Sequence, residues 1–178
     1  MNAVDDIIAT RARPIGLLCL DVDGVLTDGK LHFHDDGVES KVFNIRDGLG
    51  LKLLKDAGIK TALITGRRSP AAKARSLELG IDAYHEGIED KQAIAAGLLS
   101  HFGLNSAQLA YMGDDLPDLP LLRQAGLAIS VPDAPAFVRQ QVHYVTRARG
   151  GDGAVREACE LILHSQGKLV ALLDRYLA

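Results

Sequence analysis

Apolar positions in this chain follow two rhythms: short unbroken runs, and longer stretches where they recur every three or four residues. The run Ile15 to Leu20 is continuous, which is the pattern of a strand buried on both faces. It stops at two acids one residue apart, Asp21 and Asp23, with Gly24 and Gly29 just beyond. Comparable runs at Ile59–Ile64, Leu109–Met112 and Leu127–Val131 predict further strands, and shorter ones are expected around Ala83-Tyr84 and His143–Val145. Between these runs, helical spacing predicts helices from Gly48 to Ala57, Pro70 to Leu79, Asp90 to about His101, 116–124, Pro135 to Gln141 and 152–164. Asp47 is placed to cap the first of these, Pro70 opens the second, and Gly58 and Gly80 stand where helix ends need a left-handed residue.

Three segments depart from this alternation. Residues 4–13 predict a short amphipathic helix, ended by Pro14, whose Ile7 and Ile8 would cover a sheet edge. Residues 30–43 predict a β-hairpin flap, with Leu31–His34 and Val38–Phe43 joined by Asp35-Asp36-Gly37. His32 and His34 share a face of that hairpin, but no third His or Cys lies near in sequence, so solvated imidazoles are expected rather than a metal site. Residues 165–178 predict a loosely attached helical tail. Strand–helix alternation elsewhere predicts an α/β fold: one domain over 1–178, three layers, Rossmann-like, with a central parallel sheet.

Composition narrows the partners. Of 178 residues, 47% are apolar, so a sizeable core forms and general disorder is excluded. A net charge of −3 and only 4% aromatic residues with no Trp argue against nucleic-acid or anionic-membrane binding. Cys19 and Cys159 read as buried free thiols. The acidic start has no signal-peptide pattern and no apolar run approaches a membrane span, so a cytoplasmic protein is expected.

Chemistry collects at the strand ends. The first strand ends in Asp21 and Asp23, the second in Thr65-Gly66-Arg67, and Leu109–Met112 in Gly113-Asp114-Asp115; Lys91 opens a helix after the loop Gly87–Asp90. Parallel strands bring their carboxyl ends to one edge, where open α/β sheets bind ligands. Crowded carboxylates of this kind call for a hard cation such as Mg²⁺. Acids, a hydroxyl and a lysine in one crevice suit phosphoryl transfer through an aspartyl-phosphate. One carboxylate acts as nucleophile, the acid two residues on as proton donor and acceptor, and Lys91 with the Thr65 hydroxyl holds phosphoryl oxygens.

The set Asp21-x-Asp23-Gly-Val-Leu-Thr-Asp, Thr65-Gly66-Arg67, Lys91 and Gly113-Asp114-Asp115-x-x-Asp118 resembles the four motifs of the haloacid-dehalogenase-like (HAD) phosphatases over nearly the whole chain. Phe43–Gly48 and Gly150–Glu157 resemble, within that superfamily, the phosphatases of 3-deoxy-D-manno-octulosonate (KDO) 8-phosphate in lipopolysaccharide biosynthesis. The resemblance implies Asp21 as nucleophile, Asp23 as general acid/base, and Mg²⁺ on Asp21, the Asp23 carbonyl and Asp114, supported by Asp115 and Asp118. It implies a sugar-phosphate site formed by Asp23, Asn44, Ile45, Arg46, Asp47, Gly48, Lys52, Arg67, Arg75 and Lys91. Lys52 stands where the family often carries Arg, and an ammonium cannot repeat a bidentate guanidinium contact. Larger relatives insert a cap domain; here the gaps hold only the hairpin and one helix with a short strand, so no cap domain is expected. The open crevice would then be covered by a neighbouring subunit, and the family is similar in assembling homotetramers through such hairpins. The basic, glycine-jointed segment from Arg147 onward is expected to act between subunits as a gate. Two alternatives stand beside this reading: a phosphatase for another acidic sugar such as a nonulosonate 9-phosphate, and a phospho-accepting receiver domain.

Overall fold

The computed structural model describes residues 6–177. Its main sheet contains β1 (Leu17–Leu20), β4 (Lys60–Thr65), β5 (Ala83–Glu86), β6 (Leu109–Met112), β7 (Leu127–Ser130) and β8 (Tyr144–Val145), all parallel. The spatial order is β5-β4-β1-β6-β7-β8. Counted within this sheet alone, that order is 3-2-1-4-5-6, the doubly wound arrangement with its reversal of direction between β1 and β6. A receiver domain has the order 2-1-3-4-5, so the topology removes that alternative. β1, β6 and β7 are buried at every position, which requires cover on both faces. Leu20 at the end of β1 pairs in register with Leu63 and Met112, so the residues that follow these strands emerge side by side.

The helices are α1 (Asp6–Ala12), α2 (Ile45–Asp56), α3 (Pro70–Leu79), α4 (Lys91–Phe102), α5 (Leu119–Leu122), α6 (Ala136–Arg139), α7 (Ala154–Ser165) and α8 (Leu169–Asp174). One group packs α1 and α2 on α7, with α8 against α7; a second packs α4 on α5. The hairpin, β2 (His32–Phe33) and β3 (Glu39–Ser40), is a separate two-stranded sheet. Its turn contains Gly37 at φ 80°, a left-handed angle suited to the predicted Asp-Gly. No domain lies between the hairpin and α2 or between α3 and α4.

Several sequence expectations are corrected. α2 starts at Ile45, not Gly48, because the Asn44 side chain caps it by accepting the Arg46 N–H at 2.8 Å. Asp47 caps a different helix: buried within the first turn of α2, it accepts the backbone N–H of Arg156 at 2.8 Å and of Gly153 at 3.4 Å. α7 needs that partner because Gly153, its own N-cap, has no side chain. α1 packs on α7 and on the inner strand β7 rather than over a sheet edge; residues 4 and 5 of the expected helix lie outside the described residues. The tail is docked, not loose. Leu169 and Leu172 of α8 are buried, Lys168 Nζ reaches the Ala57 carbonyl at 3.1 Å, and Arg175 pairs with Asp56 at 3.2 Å.

The segment expected to act between subunits also packs into the core of this chain. Val155, Ala158, Cys159 and Ile162 of α7 are fully buried. Gly150 and Gly151 lie against the loop after β1, where Gly151 N–H donates to the Val25 carbonyl at 3.0 Å. A Cβ on Gly150 would overlap the Gly24 carbonyl oxygen, so only glycine permits this approach. The cap supplied by Asp47 closes the same joint from α2. Asp47→Ala should cost about 1–2 kcal/mol, the usual scale of a lost N-cap. Equilibrium urea unfolding at fixed protein concentration measures this, and an unchanged midpoint would show that the α2–α7 cap contributes nothing.

Candidate active site

At the carboxyl ends of β1, β4 and β6 an open cavity of about 610 Å³ is bounded by Asp21, Asp23 and Gly29, by Thr65, Gly66 and Arg67, and by Asp114, Asp115, Pro117 and Asp118, with Ile88, Glu89 and Lys91 along one side. A second hollow of about 580 Å³ touches Pro14, Ala107 and Gly126. These residues precede β1, β6 and β7, so this hollow is at the opposite, amino edge of the sheet.

Three carboxylates, those of Asp21, Asp114 and Asp118, each place an oxygen within 4.8 Å of the others. One ammonium lies among them. Lys91, the first residue of α4, donates to Asp21 Oδ1 at 2.5 Å and to Asp118 Oδ1 at 2.7 Å, and is itself buried. Its helix is fixed by Asp90, which caps it through the Ala93 N–H at 3.0 Å. Burial pushes the Asp21 carboxyl up to about 7, with Lys91 pulling down and Asp118 and Asp23 pushing up. Burial, followed by the charges of Asp21, Asp118 and Asp115, also raises Asp114 to about 7. One lysine does not balance this set.

The cluster fits Mg²⁺. Its donors are hard oxygens, three carboxylates face one lysine, and burial first and neighbouring carboxylates second raise Asp21 and Asp114. Within it, Asp118 is already saturated. Oδ1 accepts Lys91 and the Tyr111 hydroxyl at 2.6 Å, while Oδ2 accepts the N–H groups of Asp114 at 2.9 Å and Asp115 at 3.2 Å. Asp118 therefore orients Lys91 and the Asp114 loop, leaving Asp21 and Asp114 the freer carboxylates. Gly24, at φ 92°, lets the loop after β1 lie against Asp114, since a Cβ there would overlap its carboxylate. Thr27 ties that loop by accepting the N–H groups of Gly24 at 3.3 Å and Gly29 at 3.2 Å. Thr65 is buried at the end of β4, with its hydroxyl accepting the Arg67 N–H at 3.3 Å.

Residues 45–126 match the family model of the haloacid dehalogenase-like hydrolases. The chain is 46% identical over 165 residues to the 3-deoxy-D-manno-octulosonate 8-phosphate phosphatase KdsC of Yersinia pestis, covering 93% of this chain and 88% of that protein. To KdsC of Escherichia coli K12 it is 43% identical over 92% of this chain and 87% of that one. This chain belongs to the 3-deoxy-D-manno-octulosonate 8-phosphate phosphatase family. A crystal structure from that family, the Moraxella catarrhalis phosphatase in complex with magnesium, phosphate and KDO, superposes with TM-score 0.95 and 43% identity over 97% of this chain and 99% of that one. A probable YrbI-family phosphatase from Pseudomonas syringae gives TM-score 0.96 at 47% identity over 98% and 99% of the two chains.

Of the sugar-phosphate residues that the family resemblance implied, Asp23, Arg67 and Lys91 border the cavity, whereas Asn44, Ile45, Arg46, Asp47, Gly48, Lys52 and Arg75 do not. They form a separate group on α2 and α3, where Arg75 donates to the Asn44 carbonyl at 3.3 Å and pairs with Glu78 at 2.8 Å. Gly48 leaves the space that the Arg75 guanidinium fills. The sequence reading also missed three side chains in or beside the family's cavity. Tyr111 lies in the run Leu109–Met112, which predicts only a strand, yet its hydroxyl donates to Asp118 at 2.6 Å. Glu39 and Lys41 fall in the expected hairpin and are given no role by the sequence, yet Lys41 bridges Asp23 and Glu39, and Arg67 pairs with Glu39.

The titrations have a testable sign. The Asp21 and Asp114 carboxyls have folded-state pKa values of about 7 against an ordinary value near 3.8. In metal-free protein their contribution to stability is full below about pH 4 and is lost as pH rises through 7. A divalent cation binds the ionised forms. Added Mg²⁺ should therefore raise the thermal midpoint more at pH 8 than at pH 5.5; equal shifts at both pH values would show that these carboxyls do not hold the ion.

Proposed function

We propose that this chain hydrolyses 3-deoxy-D-manno-octulosonate 8-phosphate to the free sugar acid and inorganic phosphate, as a step of lipopolysaccharide biosynthesis, with Asp21 as the phosphoryl acceptor. The observation that carries the reading is the ion set Asp21–Lys91–Asp118 beside Asp114, at the reversal point of the sheet, in a chain 46% identical to a phosphatase of that name. Lys91 occupies Oδ1 of Asp21, leaving the other oxygen to attack phosphorus. The new bond forms from Asp21 oxygen to phosphorus as the bond to the sugar oxygen breaks. The sugar oxygen takes the electron pair and a proton from Asp23. In the second half, Asp23 removes a proton from water, whose oxygen attacks phosphorus, and the bond to Asp21 breaks to restore the carboxylate. Lys91 and the Thr65 hydroxyl hold phosphoryl oxygens during both displacements. Mg²⁺ would be held by Asp21, Asp114 and the Asp23 carbonyl, and supplies charge neutralisation between carboxylate and phosphate.

A nonulosonate 9-phosphate phosphatase would share the catalytic set, and phosphate release across a panel of sugar phosphates separates the two substrates. Asp21→Asn should reduce turnover of every phosphate monoester in that panel to background, because an amide does not accept the phosphoryl group. Full activity in folded Asp21→Asn protein would sink the covalent route.

We also infer a homotetramer in the cytoplasm. No helix among the described residues is long and apolar enough to cross a membrane, and both cysteines are free and buried, as suits a reducing compartment. The hairpin and the start of α2 expose Phe33 at 62%, Val42 at 70% and Ile45 at 84%, apolar side chains that a second copy would cover. The same contact would bring the group around Asn44, Arg46, Lys52 and Arg75 over a neighbouring cavity. Phe33→Lys should give a smaller assembly by light scattering and raise KM for the sugar phosphate by about tenfold, the weight of one lost contact of about 1.4 kcal/mol. A smaller assembly with unchanged KM would remove the intersubunit substrate site.

A further inference from the structure

Outside the four motifs, one charged group stands out. Lys41 follows β3, and its side chain is only 2% exposed although it belongs to a surface hairpin. Sinking an ammonium this far costs desolvation energy that only close anions offset. Two are present: Asp23 Oδ1, and Glu39 Oε1 at 2.7 Å. Glu39 is held in turn by Arg67, whose Nε lies 3.8 Å from the other oxygen of Asp23, Oδ2. The hairpin and the loop after β4 thus close a four-membered ring of alternating charge around the Asp23 carboxylate.

We propose that Lys41 is a positioning residue for the reaction, setting which oxygen of Asp23 meets the leaving group. An ammonium donates and cannot accept, so Oδ1, facing Lys41, is engaged purely as an acceptor. Oδ2, on the Arg67 side, is then the oxygen that carries the proton to the departing sugar oxygen and takes one from water in the second half. Glu39 keeps Lys41 in place, and through this pair the hairpin becomes part of the acid–base machinery as well as cover. The inference rests on the reading of Asp23 as general acid/base given above.

The test compares two substrates that differ in their need for an acid: 3-deoxy-D-manno-octulosonate 8-phosphate, with a poor alkoxide leaving group, and p-nitrophenyl phosphate, whose phenolate leaves unaided. Lys41→Met keeps the length and removes the charge. It should lower kcat on the sugar phosphate by about 10–10²-fold, a part of the 10²–10⁴ typical of general acid–base help, and change kcat on the aryl phosphate by less than about threefold. Lys41→Arg should recover a portion of the sugar-phosphate rate. Equal losses on both substrates, or no loss on either, would overturn the proposal, the first by making Lys41 a structural staple only. If Lys41→Met does not fold, Glu39→Gln decides in its place, since it loosens Lys41 while leaving it paired with Asp23, and it should show the same substrate bias at smaller size. Asp23→Asn is the control for the underlying reading. If Asp23→Asn itself shows no bias between the two substrates, the acid role of Asp23 fails; a biased Asp23→Asn beside an unbiased Lys41→Met and Glu39→Gln fails the role of Lys41 alone.

Discussion

The structure depends on how one buried ammonium is shared among carboxylates. Lys91 bridges Asp21 and Asp118 at hydrogen-bond distance, and Asp114 stands beside them with no cation of its own among the described residues. In a low-dielectric site each uncompensated charge is expensive, and the raised pKa values of Asp21 and Asp114 express that cost. The same deficit is what gives the site an appetite for a divalent ion and, with it, for a phosphate. The remaining architecture keeps these groups from relaxing apart.

That restraint is mostly backbone. Asp118 uses both oxygens to tie Lys91, Tyr111 and the N–H groups of the Asp114 loop into one unit. Ser130 at the end of β7 donates to the Gly113 carbonyl at 2.7 Å, holding the loop from the next strand. On the other side, the loop after β1 lies between Asp114 and the Gly150–Gly151 joint, and glycine is required on both flanks. The joint is in turn anchored by Asp47 through the start of α7. A chain of contacts therefore runs from α2, through α7, to the loop that follows Asp21.

This explains why residues that look like surface decoration in sequence matter for the site. Asp47 lies in a motif that the family resemblance assigned to substrate, yet its carboxylate is spent on a helix one hundred residues away in the chain. Lys41 and Glu39 turn their charges toward Asp23 from a hairpin that leaves Phe33, Val38 and Val42 exposed. A hairpin laid beside a polar cavity accounts for the burial of these two charges.

What the sequence determined by itself is whatever rests on local pattern. Continuous apolar runs identified β1, β6 and β7, Asp-Gly identified the hairpin, Pro70 and Gly80 bracketed α3, and acids at strand ends marked the edge where chemistry gathers. These signals survive because a buried parallel strand and a turn each impose their own residue types. Tertiary structure alone decided the partner of each polar side chain. Asp47 precedes the helix expected from Gly48 as a cap would, but α2 begins earlier, Asn44 is the residue next to its first free N–H groups, and α7 brings donors to Asp47 from elsewhere. Likewise Glu39 and Lys41 alternate onto one face of β3 and its extension, but no local rule states that the face turns toward Asp23 rather than toward water. The choice belongs to the packing of the hairpin against the sheet, where the cost of burying a charge is met only by the charge it finds there.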